Sequence, residues 1–182
     1  RIGIVVGEAS GDTLGINLMH QIRQVHPEAV FEGIGGEQMI AAGFKSFYPM
    51  ETLSVMGLVE VLKRLRQLFA VRDGLVQLWQ QNPVDIFVGI DAPDFNLRLS
   101  ALLKPKGIPC VQYVSPSVWA WRQGRVAGIG QAVNKVLCLF PFEVPFYTKH
   151  DIAAEFVGHP LASQYPLEHD IASSKTDLRI PN

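Results

Sequence analysis

The chain has 182 residues, 48% of them apolar and 18% charged, and its 16 basic and 17 acidic residues leave a formal charge of −1. That length supports one generous domain with a full core, and the balanced charge excludes the basic footprint of a nucleic-acid binder. No apolar run reaches the roughly 18 residues that a membrane-spanning helix needs.

Ile2 to Val6 is a β-branched run and reads as the first strand. Opening at Ile2, it predicts no secretory leader and a cytoplasmic location. The turn Gly7-Glu8-Ala9-Ser10-Gly11-Asp12 leads into a helix expected over Thr13 to Val25, with Leu14, Leu18, Ile22 and Val25 at helical spacing. Such a turn offers free N–H groups to a phosphate or sugar. Its glycines at 7, 11 and 15 do not form the dinucleotide fingerprint, and a plain tight turn explains them equally well.

Ala29 to Ile34 is expected as a second strand, followed by Gly35-Gly36 and a short helix around Met39 to Ala42; Phe44 to Tyr48 is a candidate third strand. Ser54 to about Gln81 is the longest helical stretch, and Gly74 suggests a break into two helices. Its first half has a broad apolar face (Val55, Met56, Leu58, Val59, Leu62, Leu65, Leu68, Phe69) bordered by Lys63, Arg64, Arg66 and Arg72. Two readings fit it: a core helix, or a helix lying at a bilayer surface with its cations toward anionic headgroups.

Ile86 to Ile90 reads as a strand buried on both faces, ending at Asp91-Ala92-Pro93-Asp94. In open α/β sheets the chemistry sits just beyond the carboxyl ends of the strands. Asp91, the first polar residue there, is therefore a candidate catalytic or ligand-binding carboxylate, with a turn-forming role as the alternative. Asp94, after Pro93 and before an apolar helical segment to about Leu103, reads as a helix N-cap.

Pro109 to Val114 is the next strand, and Ser115 to Arg125 crowds hydroxyls, two indoles and two guanidiniums onto the same rim, a mixture suited to sugar faces and phosphates. A helix over Gln123 to Ala132, a strand over Lys135 to Leu139 and a short strand at Glu155 to Val157 complete the alternation, after which comes Gly158-His159-Pro160. His159 is open to a structural or a chemical role. Strands alternating with helices predict an α/β fold with a doubly wound, right-handed parallel sheet. Cys110 and Cys138 fall in predicted strands without metal-ligand spacing and read as reduced core thiols. No metal is expected, because no Asp-x-Asp pair, P-loop or His/Cys cluster is present. The start at Arg1 and the stop at Asn182, just after the apparent beginning of another helix, suggest a piece of a longer protein.

Several of these stretches together resemble the lipid-A-disaccharide synthase family: Gly7 to Asp12, Ser54 to Gly57 with Val59 to Leu62, Gly89 to Asn96, Tyr113 to Arg122, Phe140 to Glu143 and Gly158 to Pro160. The string Val-Ser-Pro-Ser-Val-Trp-Ala-Trp-Arg at 114–122 is the most specific of them. The resemblance covers nearly the whole chain. It implies a doubly wound Rossmann-like sheet at residues 1–165, the N-terminal, acceptor-side domain of a GT-B glycosyltransferase, with 166–182 as linker into a nucleotide-sugar domain outside this sequence.

The implied activity is inverting and needs neither metal nor cofactor. It transfers diacylglucosamine from its UDP derivative to the 6-hydroxyl of diacylglucosamine 1-phosphate, releasing UDP, in the lipid A pathway of Gram-negative bacteria. Asp91 would be the general base, and Glu8, Ser10, Asp12, Asn96, Ser115, Trp119, Arg122 and His159 would contact substrate. The apolar helix would meet the inner-membrane surface, making the protein peripheral there; self-association is left open. Where the family often has Leu-Ala-Asp after Gly-His-Pro, this chain has Leu161-Ala162-Ser163. Without a donor-binding half the chain is expected to be inactive alone, since transfer needs both substrates held in line. Two other readings stand beside this one: a binding-only glycolipid or membrane-surface module, and a glycosyltransferase acting on a soluble sugar.

Overall fold

The computed structural model describes residues 1–53, 58–121 and 123–163. Val55, Met56, Arg122 and the expected linker at 166–182 lie outside the described residues, as do the side chains of Leu58, Val59, Leu62 and Trp119.

Seven strands form one parallel sheet: β1 (Ile2–Val6), β2 (Phe31–Ile34), β3 (Lys45–Ser46), β4 (Ile86–Ile90), β5 (Cys110–Tyr113), β6 (Lys135–Cys138) and β7 (Ala154–Phe156). Their order is β3-β2-β1-β4-β5-β6-β7. The chain builds outward from β1 in one direction, returns to β4 on the other side of β1, and continues outward. The expected doubly wound α/β architecture is present, with the strand order reversing between β1 and β4. Val6 pairs with Ile90 at that junction, so the loops leaving β1 and β4 emerge side by side.

Helices α1 (Ala9–Val25) and α2 (Glu37–Ala41) precede α3 (Leu58–Gln81), α4 (Pro93–Leu103), α5 (Val118–Trp121), α6 (Val126–Ala132) and α7 (Glu143–Thr148). Two buried clusters lie on opposite faces of the sheet. Ile4 and Val6 of β1 and Val88 and Ile90 of β4 pack with Leu14, Met19 and Met39 of α1 and α2. Val5 and Phe87, one residue out of phase, pack with Val71, Leu75 and Trp79 of α3, Leu99 and Leu103 of α4, and Ile129 of α6. Alternate strand residues thus feed two cores, which is why the strands read as continuous apolar runs rather than alternating ones. Among the described residues no helix is long and apolar enough to cross a membrane.

Several boundaries differ from the sequence reading. Helix α1 begins at Ala9, so Gly11 and Asp12 belong to its first turn rather than to a loop. Helix α3 runs unbroken through Gly74, since a Cβ there would run into the Tyr48 hydroxyl. That glycine makes room for a tyrosine; it does not end a helix. Short helices α5 and α7 were not anticipated, being too brief to show periodicity. Cys110 and Cys138 are buried free thiols, pushed up to about 11 and about 12 by burial and so inert as nucleophiles.

Candidate functional site

The reversal between β1 and β4 opens a crevice at the carboxyl ends of the strands, where sheets of this kind place their ligands. Asp91 stands on its lip. Its carboxyl group is half-buried, and its backbone takes the left-handed conformation with φ of 50°, followed by Ala92 at 39°. Two successive non-glycine residues in that region are strained, and strain of this kind clusters where a side chain must be aimed.

The turn is held from below. The Asp91 N–H donates to Tyr113 O at 2.9 Å, and its carbonyl accepts from Asn96 Nδ2 at 2.9 Å and Gln112 Nε2 at 3.0 Å. Burial, and after it a hydrogen-bonding approach and the negative charge of Glu8, push the Asp91 carboxyl above its ordinary range, while the Ala92 N–H pulls it back. A carboxylate with a raised pKa is the stronger proton acceptor.

Glu8 is the N-cap of α1, with extended backbone, yet its side chain makes no capping bond and is exposed on the rim beside Asp91. Ser10 is exposed next to it. Asp12 has a different place. It is buried, and its carboxylate accepts from the N–H groups of Gly36 (3.0 Å), Gln38 (3.0 Å) and Met39 (3.2 Å) at the start of α2. It caps a neighbouring helix, which corrects the expectation that it faces a sugar. A Cβ at Gly36 would come within 2.5 Å of that carboxyl carbon.

Asn96 and Ser115 also turn inward, against the expectation of direct substrate contact. Asn96 is fully buried and donates to Val5 O, Ile90 O and Asp91 O; the absence of a side chain at Gly89, where a Cβ would fall 2.7 Å from that of Asn96, lets it lie against the sheet. The Ser115 hydroxyl is buried against Tyr147 Oη at 3.0 Å, tying the loop after β5 to α7. Asp94 is not an N-cap. Ala92 occupies that position, Pro93 opens the helix, and Asp94 pairs with Arg125 at 2.6 Å on the surface. Its charge still suits the first turn of α4. His159 follows β7 on the same rim, half-buried, its carbonyl accepting the Ala162 N–H.

Beside Asp91 a groove of about 300 Å³ runs between α3 and the start of α4. Leu65, Leu68 and Phe69 form one wall, Ala92, Pro93 and Phe95 the other; Arg98, Asp94 and Arg72, the last paired with Asp73 at 2.7 Å, border it. Phe69 is 39% exposed, with the Arg72 guanidinium 4.9 Å from its ring centre. Leu65, Leu68 and Phe69, the members of the expected apolar face whose side chains are described, line the groove, while Val71, Leu75 and Trp79 further along α3 enter the core. Sequence reasoning missed Gln112, whose only signal was a polar residue inside an apolar strand.

This is a Rossmann-like α/β domain with a carboxylate site at its switch-point crevice. A family profile described as lipid-A-disaccharide synthetase matches residues 2–182, and the chain belongs to that family. It is 66% identical over 180 residues to a lipid-A-disaccharide synthase from Acinetobacter baylyi, covering 98% of this chain and 46% of the relative. Counterparts of the same name from Alkalilimnicola ehrlichii (52% identical; 98% and 47% covered) and Saccharophagus degradans (53%; 98% and 46%) match similarly. The chain thus spans about half the length of the curated relatives it matches.

Proposed function

We propose that this chain is the acceptor-side domain of an inverting glycosyltransferase that joins two acylated glucosamines, with Asp91 as its general base. The donor would be UDP-diacylglucosamine and the acceptor diacylglucosamine 1-phosphate. The observation that carries the reading is the pairing of a half-buried carboxylate of raised pKa at the switch-point crevice with an apolar, arginine-bordered groove beside it. A sugar with fatty acyl chains and a phosphate needs those three features together.

In this mechanism Asp91 accepts the proton of the acceptor's 6-hydroxyl as that oxygen attacks the anomeric carbon of the donor. The new C–O bond forms on the face opposite UDP, the old one breaks, and UDP leaves with the bonding electrons. One carboxylate suffices for such a displacement, because UDP leaves as a stable anion without needing a general acid and only the attacking hydroxyl needs a base. Glu8 and Ser10, exposed beside Asp91, would contact the sugar, with Trp119, Arg122 and His159 as further substrate contacts. Arg72 and Arg98 suit anionic phosphate. Leu65, Leu68 and Phe69 would receive an acyl chain drawn from the inner-membrane surface, which makes the protein peripheral there. The donor clamp would belong to the other half of the relatives' length, and this half alone would not turn over.

The test is disaccharide formation by the full-length protein in mixed micelles, with acylated substrates set beside their deacylated counterparts. Product from the acylated pair alone supports the reading. Equal turnover of the deacylated sugars favours a soluble-sugar transferase, and no product from either pair favours a binding module.

A further inference from the structure

The loops after β4 and β5 share an unusual feature. Asp91, Ala92 and Val114, none of them glycine, hold φ of 50°, 39° and 74° at the ends of two adjacent strands. Backbone of this kind persists only where its surroundings over-determine it. Gln112 is what lies beneath both turns. It is fully buried, and its Nε2 donates to Asp91 O at 3.0 Å, Tyr113 O at 3.4 Å and Val114 O at 3.3 Å.

We propose that Gln112 is a positioning residue for the transfer reaction, its carboxamide clamping the Asp91 turn to the Val114 turn so that the Asp91 carboxylate keeps its aim. The proposal rests on Asp91 being the base. Gln112 touches no reacting atom; it acts through the backbone of Asp91.

Two observations separate this from ordinary packing. First, the amide is poorly satisfied as a core group: Gln112 Oε1, like Asn96 Oδ1, is buried without a hydrogen-bond partner among the described residues. An apolar side chain would pack here without an unpaired oxygen, so what the carboxamide adds is its N–H donors. Second, the clamp is two-sided. Asn96 Nδ2 reaches the Asp91 carbonyl from α4 while Gln112 Nε2 reaches it from β5, so one oxygen is fixed by donors on two elements. Asn96 also binds Val5 O and Ile90 O and cannot be altered without loosening the sheet. Among the described residues Gln112 donates only to the ends of β4 and β5, and it is the cleaner probe.

The experiment uses the full-length protein, with kcat, KM for both substrates and Tm measured for Gln112→Met, Gln112→Glu and, in parallel, Asp91→Asn. Gln112→Met keeps length and volume but removes both donors. Its kcat should fall about 100-fold, the scale of a small misplacement of a reacting group, with both KM values within about twofold. Burial favours the neutral acid in Gln112→Glu, which retains one O–H donor and should recover about a tenth of wild-type kcat. Wild-type kcat in Gln112→Met, a loss confined to KM, or equal impairment of the two variants would overturn the clamp. If Gln112→Met does not fold, Gln112→Glu decides alone: lowered kcat at unchanged KM supports the proposal, and wild-type kcat overturns it. Should Asp91→Asn itself turn over normally, the base assignment fails, and the clamp with it. Normal Gln112→Met beside dead Asp91→Asn removes the clamp only.

Discussion

Two aspartates, Asp12 and Asp91, follow neighbouring strands, and the fold treats them in opposite ways. Asp12 is buried with three backbone N–H groups on its carboxylate, which ties α1 to the start of α2. Asp91 is half-buried on strained backbone, with a second carboxylate beside it and its pKa raised. The first carboxylate is spent on structure. The second is held in an environment that makes ionisation unfavourable, which is how a group is readied to take a proton. Charge is the shared starting material; burial and the number of committed donors separate the carboxylate that becomes architecture from the one left without such donors.

The largest break in that comparison comes from exchanging the two. Asp12→Ala strips the start of α2 of its cap and leaves three N–H groups unpaired. At about 1–3 kcal/mol for such a loss and about 2–4 °C per kcal/mol in a domain of this size, thermal melting should show Tm lower by roughly 2–12 °C. Asp91→Asn should do the reverse. A carboxyl whose folded pKa is raised binds protons more tightly in the folded state, so its ionisation costs stability as pH rises through the window above 3.8. Melting curves should show Asn at 91 raising Tm at pH 7, with the advantage disappearing in acid.

A comparable effect tests the space around Asp12. Gly36→Ala pushes a methyl against the carboxyl group and should cost about 1–3 kcal/mol by denaturant unfolding. Gly74→Ala sharpens the reading of α3. A glycine that merely interrupts a helix would yield about 1 kcal/mol on replacement; here Tyr48 fills the space, and the change should be neutral or destabilising. The subtlest effect is on pH dependence. Glu8→Gln removes the negative charge that opposes ionisation of Asp91, so the acid limb of kcat in the full-length protein should move to lower pH.

How much of this was legible beforehand depended on the range of the interaction. Strands β1 and β4, the alternation of elements and the carboxylate ending β4 follow from apolar runs and the residues that stop them. Asp91 was visible because a parallel sheet puts its strand ends on one rim. The roles of Asp12, Asn96 and Ser115 were not, because each depends on a partner brought in by the fold: Gly36, 24 residues away, the Val5 carbonyl, 91 away, and Tyr147, 32 away. Gly74 misled for the same reason, since Tyr48 lies in a different element. Asp94 followed the local N-cap pattern, but the left-handed turn at Ala92 moved the helix start two residues earlier.

The central claim is that Asp91 takes the acceptor's proton. The most direct measurement is kcat of the full-length protein with Asp91→Asn, alongside equilibrium binding of the diacylglucosamine 1-phosphate acceptor. The account predicts a kcat lower by about 10²–10⁴-fold, the usual contribution of a general base, with acceptor affinity within a few-fold of wild type. Near-normal turnover by Asp91→Asn would contradict it.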